Sequence, residues 1–426
     1  MKEKLLLIIK NDNSRKFFIY GIGQAFNLLS PLIVAPLIVA VCLVEGFGKV
    51  GLAYALCLFL ILIVDYAFDI KGTKTVAENR HNIKELQKIL FTTITTKIIL
   101  FCFSMIVGLL LIFTIPFFYL EKNLFLLSFI IVFAQVFNPI WFLQGLEDFV
   151  LSSILNICSK SVYVFLIFNF IQQKNDYIYV NFFLGVSALI FNVLGLIILY
   201  KKYKLGAYLP KKLEIKLILK NDFSFSLSQL VLSIRQLSPL VLTSYFLGYS
   251  LAGQYKIIEQ IISLFRTFCQ VFFKFFYPKV CYLYKINPLS AFLFWKKYTI
   301  IVVLFVTLCV CILYFNAEMI LTFFHLNIIY IPKVSEVFKI SLSICFLMSI
   351  SLALEQLMFI MEKNKVYIKT TIFVSAINLL IIFTFIQKFE LYAVIASLII
   401  AELLFVLIYT KNTIFKSINK RNEDSY

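Results

Sequence analysis

The sequence predicts an all-α integral membrane protein with about twelve transmembrane helices, and three observations support this prediction. Of the 426 residues, 62% are hydrophobic and only 15% are charged, whereas soluble domains are nearer half apolar and a quarter charged. The mean hydropathy is +0.94. The apolar residues also fall into long segments. A soluble fold could not cover this much apolar surface, so lipid must be the solvent for most of it.

Twelve segments are long and apolar enough to cross a bilayer, because a helix needs about 20 apolar residues to span the hydrocarbon. The runs lack the strict alternation and the shorter length of β-barrel strands. The predicted segments are 17–43, 49–70, 89–118, 123–143, 150–171, 177–200, 220–247, 252–277, 291–316, 335–361, 366–387 and 390–410.

The distribution of basic residues predicts the orientation. The chain has 40 Lys and Arg against 22 Asp and Glu. With a cytoplasmic N-terminus, connections on that side carry 28 basic residues and the opposite connections carry only 5. This asymmetry follows the positive-inside rule, so we expect cytoplasmic ends, an uncleaved first segment and no nucleic-acid partner. Seven basic residues fall within the predicted segments: Lys97, Lys160, Arg235, Lys256, Arg266, Lys274 and Lys339.

The longest polar connection, 201–219, predicts two lobes of six helices. Seven basic residues occupy 201–220, and the halves on either side would be an N-terminal lobe, 1–205, and a C-terminal lobe, 206–426. The halves show no convincing sequence repeat. The division is nevertheless typical of transporters whose halves rock about a central binding site.

The eighth predicted segment carries a polar stripe that cannot face lipid. At about 100° per residue its polar side chains share roughly a third of the helix circumference, over about 27 Å. Intramembrane charges are costly and usually functional. The stripe either lines a water-filled cavity for an anionic ligand such as a pyrophosphate, or belongs to an interhelical ion-pair network. Its members are Lys256, Glu259, Gln260, Ser263, Arg266, Thr267, Gln270 and Lys274.

Two other segments contribute candidate ligand-binding residues. Arg235 lies midway along the seventh segment, where its planar fork suits a phosphate or a carboxylate on a neighbouring helix. In the first segment Gln24, Asn27 and Pro31 share one face. Pro31 and Pro36 would free backbone carbonyls toward a cavity, although the polar residues could equally serve helix packing.

Acidic residues at membrane depth are candidates for ion coupling or for ion pairing. Asp65 and Asp69 lie one turn apart and could bind a cation or a proton, or pair with the basic residues that follow, Lys71, Lys74 or Arg80. Glu259 is one turn from Lys256 and can pair with it. Glu355 and Glu402 are either proton carriers or interhelical partners. Nine scattered cysteines without CxxC and two histidines predict no metal site and no cofactor.

Three blocks of the sequence resemble the O-antigen flippases of the Wzx type, which belong to the multidrug/oligosaccharidyl-lipid/polysaccharide (MOP) exporter superfamily. The run 31–80 resembles the family's opening, with a proline-bearing first helix, the turn Val44-Glu45-Gly46-Phe47-Gly48 and Asp65-Tyr66 at the end of the second helix. NPIWFLQGLEDF (138–149) and the run 245–264, followed by Tyr277-Pro278-Lys279, resemble later blocks. Ala67-Phe68 departs from the family's Gly-Phe, which leaves the role of Asp65 open.

The resemblance implies a function. Such proteins move undecaprenyl-diphosphate-linked oligosaccharides across the bacterial cytoplasmic membrane by alternating access, through two six-helix lobes around a central cavity as in MATE transporters. It implies no enzymatic activity, and a polysaccharide polymerase and a chain-length regulator as partners besides membrane lipid. The alternatives are a lipid II-type or teichoic precursor flippase, a drug exporter, or a scaffold subunit. An O-antigen polymerase or glycosyltransferase would need a large external loop, and the longest here is about 316–334.

Overall fold

The computed structural model describes residues 12–66 and 68–415, and within these ranges the regular secondary structure is helical, with no strand. Two π-helical turns occupy Phe68–Gly72 and Lys411–Phe415. The α-helices are α1 Asp12–Asp65, α2 Thr73–Glu78, α3 Ile83–Thr114, α4 Pro116–Tyr119, α5 Lys122–Val136, α6 Ile140–Gly145, α7 Phe149–Phe170, α8 Tyr177–Lys202, α9 Lys212–Leu247, α10 Tyr249–Ile286, α11 Pro288–Phe315, α12 Ala317–Phe323, α13 Ile331–Ile360 and α14 Asn364–Thr410.

Within the described residues, 8 helical stretches are long and apolar enough to cross a membrane. Two of them, α1 and α14, each contain two predicted segments, because Leu43 (φ 63°) and Glu390 (φ 49°) interrupt the helical backbone. The α9 and α10 helices are 36 and 38 residues long and are not among these 8 stretches. The multi-pass α-helical class is therefore confirmed, whereas the total of twelve stays a prediction.

The chain divides into two compact units, Met1–Ser233 and Ile234–Tyr426. The division falls within α9, so the first half of that helix belongs to the first unit and the second half to the second unit. The expected lobe boundary after residue 205 stays a prediction.

In the first unit, small residues and amide side chains bring the helices together. A Cβ added to Gly185 in α8 would lie 2.3 Å from the Cγ2 atom of Ile130 in α5. Close backbone approach of this kind is typical of helices that associate in lipid, where the hydrophobic effect contributes little. The Asn181 amide also donates to the Val50 carbonyl at 3.1 Å and to the Ser128 hydroxyl at 3.0 Å. One side chain thereby ties α8 to α1 and α5.

The start of α9 is fastened to the end of α1 within the first unit. The Tyr66 hydroxyl donates to the Leu219 carbonyl at 2.7 Å, and the Lys71 ammonium lies 2.5 Å from the Asp222 carboxylate. These contacts hold the start of α9 against the end of α1.

In the second unit, Gln356 of α13 joins three helices. Its amide donates to the Phe273 carbonyl of α10 at 2.6 Å, and its side-chain oxygen accepts from the Tyr298 hydroxyl of α11. Trp295 of α11 donates to the Ala353 carbonyl at 3.1 Å. Aromatic rings surround these bonds, and the ring of Phe276 stacks on that of Tyr298 at 4.9 Å. The cavity-lining faces of α10 and α13 are therefore held in a defined register.

Candidate functional site

A polar cavity of about 100 Å³ lies in the second unit, between α9, α10, α13 and α14. Its walls carry two arginines, two glutamates and several hydroxyl groups, which is unusual in a protein surrounded by lipid. The lining residues are Arg235, Gln236, Arg266, Gln270, Met348, Ser351, Leu352, Glu355, Tyr367, Thr371, Glu402, Phe405 and Tyr409.

Arg235 is tied to Glu402 across this cavity. Its Nη1 atom lies 3.4 Å from Oε1 of Glu402, and the Ser351 hydroxyl donates to Oε2 of the same carboxylate at 2.5 Å. The guanidinium also lies 4.9 Å from the centre of the Phe405 ring, within range of a cation–π contact. Its buried Nε atom has no hydrogen-bond partner. The structure thus shows the interhelical carboxylate partner that the sequence left open, and leaves one donor of Arg235 unused.

Arg266 lines the same cavity without such a partner. It lies on the polar stripe of α10 and is partly buried. Among the described residues it makes no hydrogen bond and no ion pair. Glu355, the second acid of the cavity, lines it together with Tyr367. Among the residues that the structure describes, Arg266 is therefore the arginine of this cavity that has no carboxylate within ion-pairing distance.

A second cavity of about 230 Å³ adjoins the first, because Gln270, Leu352 and Glu355 line both. Lys274, one turn beyond Gln270, contributes its side chain to this larger cavity. Lys274 is exposed and has no ion pair among the described residues. The lower half of the α10 stripe therefore runs from the polar cavity into a larger, mainly apolar cavity, to which Lys274 and Glu355 contribute charged side chains.

In the upper half of the stripe, two of the charged side chains pair with each other. The Lys256 ammonium lies 2.6 Å from the Glu259 carboxylate, as the one-turn spacing predicted. Gln260 is buried, and its side-chain oxygen has no partner. One end of the stripe therefore carries the ion pair Lys256–Glu259. The other end carries Arg266 and Lys274, two cations without an ion pair among the described residues.

A different cluster occupies the first unit. Lys97 of α3 lies 2.8 Å from Asp65 at the end of α1, and the Gln135 amide donates to the other Asp65 oxygen at 2.8 Å. Gln135 in turn accepts from Asn138 at 3.2 Å. Lys97 is fully buried. The cluster links α1, α3 and α5 to the start of α6.

The partner of Asp65 differs from the expected ones, because helix packing, and not chain proximity, decides it. Among the expected partners, Lys71 pairs with Asp222, Lys74 with Glu78 and Arg80 with Glu147. Asp69 lies exposed one turn beyond Asp65. The sequence did contain a signal, since Lys97 lies at membrane depth and needs an acid. Nothing in the sequence said which acid.

Gln24 and Asn27, the candidates from the first segment, lie in the first unit on α1. Both side chains are partly buried, and neither makes a hydrogen bond with the described residues. The remaining candidate cations and glutamates belong to the second unit. Among the described residues, no group of three or more His, Cys, Asp or Glu side chains could hold a metal ion.

Outside the membrane-spanning segments, Glu214 has a well-defined electrostatic environment. The backbone N–H of Lys211 donates to it at 2.9 Å and the Tyr208 hydroxyl donates at 2.8 Å. Both bonds lower the pKa of Glu214, and the backbone bond from Lys211 has the larger effect. The Lys88 ammonium, 3.5 Å away, acts in the same direction. The connection before α9 is therefore held by a carboxylate that must be ionised.

Comparison with known proteins identifies the family of this site's scaffold. The family model described as "Polysaccharide biosynthesis protein" matches residues 14–279, more than half of the chain. The chain belongs to the polysaccharide biosynthesis protein family. The matched range contains all the sequence blocks on which the family resemblance was based.

Two relatives of this polysaccharide biosynthesis protein carry the name "Putative O-antigen transporter". The one from Escherichia coli (strain K12) is 22% identical over 285 residues, covering 66% of this chain and 68% of its own length. The one from Shigella dysenteriae is 23% identical over 420 residues, covering 96% and 99%.

Solved structures share the fold of the polysaccharide biosynthesis protein. One is an inward-facing multidrug resistance MATE family transporter of the MOP superfamily, with a TM-score of 0.72 at 14% identity, covering 92% of this chain and 94% of that one. Another is the lipid II flippase MurJ in an inward closed conformation, with a TM-score of 0.73 at 14% identity, covering 93% and 87%. At these identities the likeness concerns the fold alone.

Proposed function

We propose that this protein is a flippase that carries an undecaprenyl-diphosphate-linked oligosaccharide, an O-antigen or a related repeat unit, across the bacterial cytoplasmic membrane. Membership of the polysaccharide biosynthesis family supports a transporter of glycan precursors. The relatives are both named O-antigen transporters. Their names also support the expectation that the chain has no enzymatic activity. Alternating access would open the site to each side in turn.

The observation that carries this proposal is the unpaired Arg266 in a polar cavity within a membrane-embedded unit. Moving a diphosphate and its sugars through hydrocarbon costs many kcal/mol. A site that presents a positive charge and hydrogen-bond donors in place of water lowers this barrier. Arg266 supplies the charge, and Lys274 and Gln270 extend the same surface into the larger cavity.

Arg235 contributes differently in this proposal. Because Glu402 already neutralises it at 3.4 Å, Arg235 would orient the cavity and offer its unused Nε donor, while Arg266 supplies the net charge. Lys256 is likewise compensated by Glu259. Glu355, which shares the cavity with both arginines, is the coupling candidate closest to the anion.

The remaining parts of the proposal concern the cellular setting. Both ends of the chain would lie in the cytoplasm, because 28 basic residues fall on that side of the predicted topology and 5 on the other. The polymerase and the chain-length regulator that act on flipped repeat units would be the partner proteins. The halves 1–205 and 206–426 would be the two rocking lobes.

Complementation of a flippase-null strain tests the proposal. Arg266→Glu should abolish most surface polysaccharide while the protein still accumulates in the membrane, because the charge that attracts the diphosphate is reversed. Lys285→Glu is the matched control, since Lys285 is an exposed cation on the same helix that lines neither cavity. Full surface polysaccharide with Arg266→Glu would rule out the site. A wild-type chain that fails to complement would rule out the function for that glycan.

The fold likeness to the MATE transporter and to MurJ favours two alternative cargoes, a drug and lipid II. Both can be tested with the same plasmids. Expression in a drug-sensitive strain should leave drug susceptibility unchanged, and expression in a MurJ-depleted strain should not restore growth. Raised resistance or restored growth would move the assignment to the corresponding cargo.

A further inference from the structure

The α1 and α7 helices of the first unit run side by side in the same direction. A Cβ added to Gly23 of α1 would lie 2.9 Å from the Cβ of Ser153 in α7. Further along, the Cys42 thiol of α1 donates to the Gln173 carbonyl, just beyond the end of α7, at 3.7 Å. The two contacts are separated by nearly the same number of residues along α1 as along α7 and the residues that follow it. The helices therefore keep a parallel register across the membrane.

This register places Lys160 level with Ser30. Each lies seven residues beyond the Gly23–Ser153 contact, which corresponds to a rise of about 10.5 Å and to about 20° short of two full turns. Lys160 therefore belongs to the face of α7 that packs on α1, and Ser30 belongs to the opposing face of α1. Asn27 lies about one turn before Ser30 on the same side.

The polar groups along this seam lack partners. Lys160 makes no hydrogen bond and no ion pair with the described residues, and neither does the Asn27 side chain. The Ser30 and Ser153 hydroxyl oxygens are buried and without a hydrogen-bond partner. Pro31 has no N–H, so within α1 it cannot donate to the Asn27 carbonyl. Lys160, Asn27 and Ser30 therefore lie near one depth in the unit without partners among the described residues, and Ser153 lies about 10.5 Å before them.

A cation at this place needs an anion. The α7 helix is one of the stretches that can cross the membrane, and a lysine at the centre of such a helix is costly to insert into a bilayer. Hydroxyl, amide and carbonyl groups hydrate an ammonium group but leave its charge uncompensated. Elsewhere in this chain the buried Lys97 has its carboxylate at 2.8 Å. Lys160 has the same cost and no such carboxylate among the described residues.

We propose that Lys160, with the Asn27 amide and the Ser30 hydroxyl, forms an anion-binding position in the first unit that takes a phosphate group of the lipid-linked substrate. This proposal rests on the proposed function. The ammonium group supplies three donors and a compact charge, and the amide and hydroxyl supply further donors to phosphate oxygens. Gln24, about one turn earlier on α1 and displaced by about 60° from Asn27, lies at the edge of the position. Lys160 of α7 is thus the cationic counterpart of the α1 face that carries Gln24 and Asn27.

Binding of a soluble polyprenyl diphosphate tests the position directly. The purified protein in nanodiscs of uncharged lipid is titrated with farnesyl diphosphate, with inorganic pyrophosphate and with farnesol. We expect Lys160→Met to weaken farnesyl diphosphate binding by about tenfold, the factor that about 1.4 kcal/mol produces, and Lys160→Arg to preserve it. Inorganic pyrophosphate should show the same ratio between variants if the headgroup alone is recognised. Farnesol binding should not change.

Two controls separate recognition from folding. Lys174→Met removes an exposed cation near the end of α7 and should leave the affinity for farnesyl diphosphate unchanged. Because Lys160→Met removes an uncompensated charge, its unfolding temperature should be equal to or above that of the wild type. A lowered unfolding temperature together with unchanged affinity would show a structural lysine and overturn the proposal.

The same titrations distinguish this proposal from the proposed function. If the wild type complements the null strain and Lys160→Met binds farnesyl diphosphate as tightly as the wild type, the Lys160 position is wrong and the flippase assignment stands. If the wild type neither complements nor binds any diphosphate, the flippase assignment fails and the position fails with it.

Discussion

The ammonium group of Lys97 lies 2.8 Å from the carboxylate of Asp65, and the Lys97 side chain has no exposed surface. The second Asp65 oxygen accepts from Gln135, so the acid is bonded on both sides. A buried ion pair contributes little net stability by itself, because desolvation of the two ions offsets their attraction. Removing only one of the two partners destabilises the protein strongly, because the other charge then stays buried without compensation.

Lys97→Met should therefore destabilise the first unit by about 3–5 kcal/mol. The change leaves Asp65 ionised without its counter-ion, next to a neutral amide. The double variant Lys97→Met with Asp65→Asn should recover most of the loss, because neither buried charge remains. Thermal unfolding of the purified variants in nanodiscs measures both effects.

Lys74→Met is the matched control for this prediction. Lys74 is 78% exposed and only 3.7 Å from Glu78, and exposed pairs contribute about 0–1 kcal/mol. Equal unfolding temperatures for Lys97→Met and Lys74→Met would contradict the structural role assigned to the Lys97–Asp65 pair.

Arg235 and Arg266 line the same cavity, but replacing each with a neutral residue should affect protein stability differently. Arg235→Gln strands the Glu402 carboxylate, whose side chain is only 8% exposed, and should lower stability by on the order of 3 kcal/mol. Glu402→Gln in the same chain should restore it. Arg266→Gln strands no acid and should leave the unfolding temperature unchanged while lowering transport.

Unfolding temperatures and surface polysaccharide, measured on the same four chains, test this contrast. A loss of stability in Arg266→Gln comparable to that in Arg235→Gln would mean that Arg266 has a structural partner, and the substrate-binding role would then lose its basis.

Gly185→Ala should separate α8 from α5. The added Cβ would lie 2.3 Å from Cγ2 of Ile130 and 2.7 Å from the backbone nitrogen of Ile131, and the backbone atom cannot move aside locally. We expect a loss of about 1–3 kcal/mol, as for other overpacked sites. Thermal unfolding of purified protein provides the measurement.

Gly21→Ala tests whether this cost arises from packing and not from the glycine itself. No atom lies within 4 Å of a Cβ added at Gly21. Alanine is favoured over glycine in a helix by up to about 1 kcal/mol, so this variant should be neutral or slightly more stable. A loss in both variants would exclude the steric explanation.

Acidification should loosen the connection before α9. The hydrogen bonds from Lys211 and Tyr208 lower the pKa of Glu214 below its ordinary 4.5, so they stabilise the folded state when the carboxyl group is ionised. This contribution is complete above the ordinary pKa and is lost as the pH falls through the lower pKa of the folded state. The protection factors of the amide hydrogens in residues 208–214, which correct for the slower intrinsic exchange at low pH, should fall over that range.

Glu214→Gln is the control for the pH effect. The variant should show low protection factors at residues 208–214 already at neutral pH and no further loss of protection on acidification. Persistence of a pH-dependent step in Glu214→Gln would assign the transition to another carboxyl group.

The physical basis of the predicted segments explains why they could be located without coordinates. Spanning a bilayer needs about 20 apolar residues whatever their neighbours are, so each run was visible in its own residues. The breaks at Leu43 and Glu390 fall where the apolar runs were already divided. The family likeness was also local, since it rested on blocks such as Asp65-Tyr66 in the matched range 14–279.

The partners of the intramembrane charges could not be located in this way. Lys97 and Lys160 were both visible as cations at membrane depth, yet one has an acid at 2.8 Å and the other has none among the described residues. Glu402 lies 167 positions along the chain from Arg235. Such pairs depend on which helix faces pack against each other. The helical period shows which residues share a face, but it does not show which neighbouring helix that face contacts.

By itself, the sequence determined that lipid is the main solvent of this protein, where its apolar segments lie and on which helix face the cations of α10 lie, because each depends on local composition and on helical period. Only the tertiary structure decided that Arg235 is neutralised by Glu402 while Arg266 is left unpaired, and that Lys160 lies level with Ser30. Electrostatic energy depends on distances of a few ångströms between helices. Packing contacts such as that of Gly23 with Ser153 set those distances.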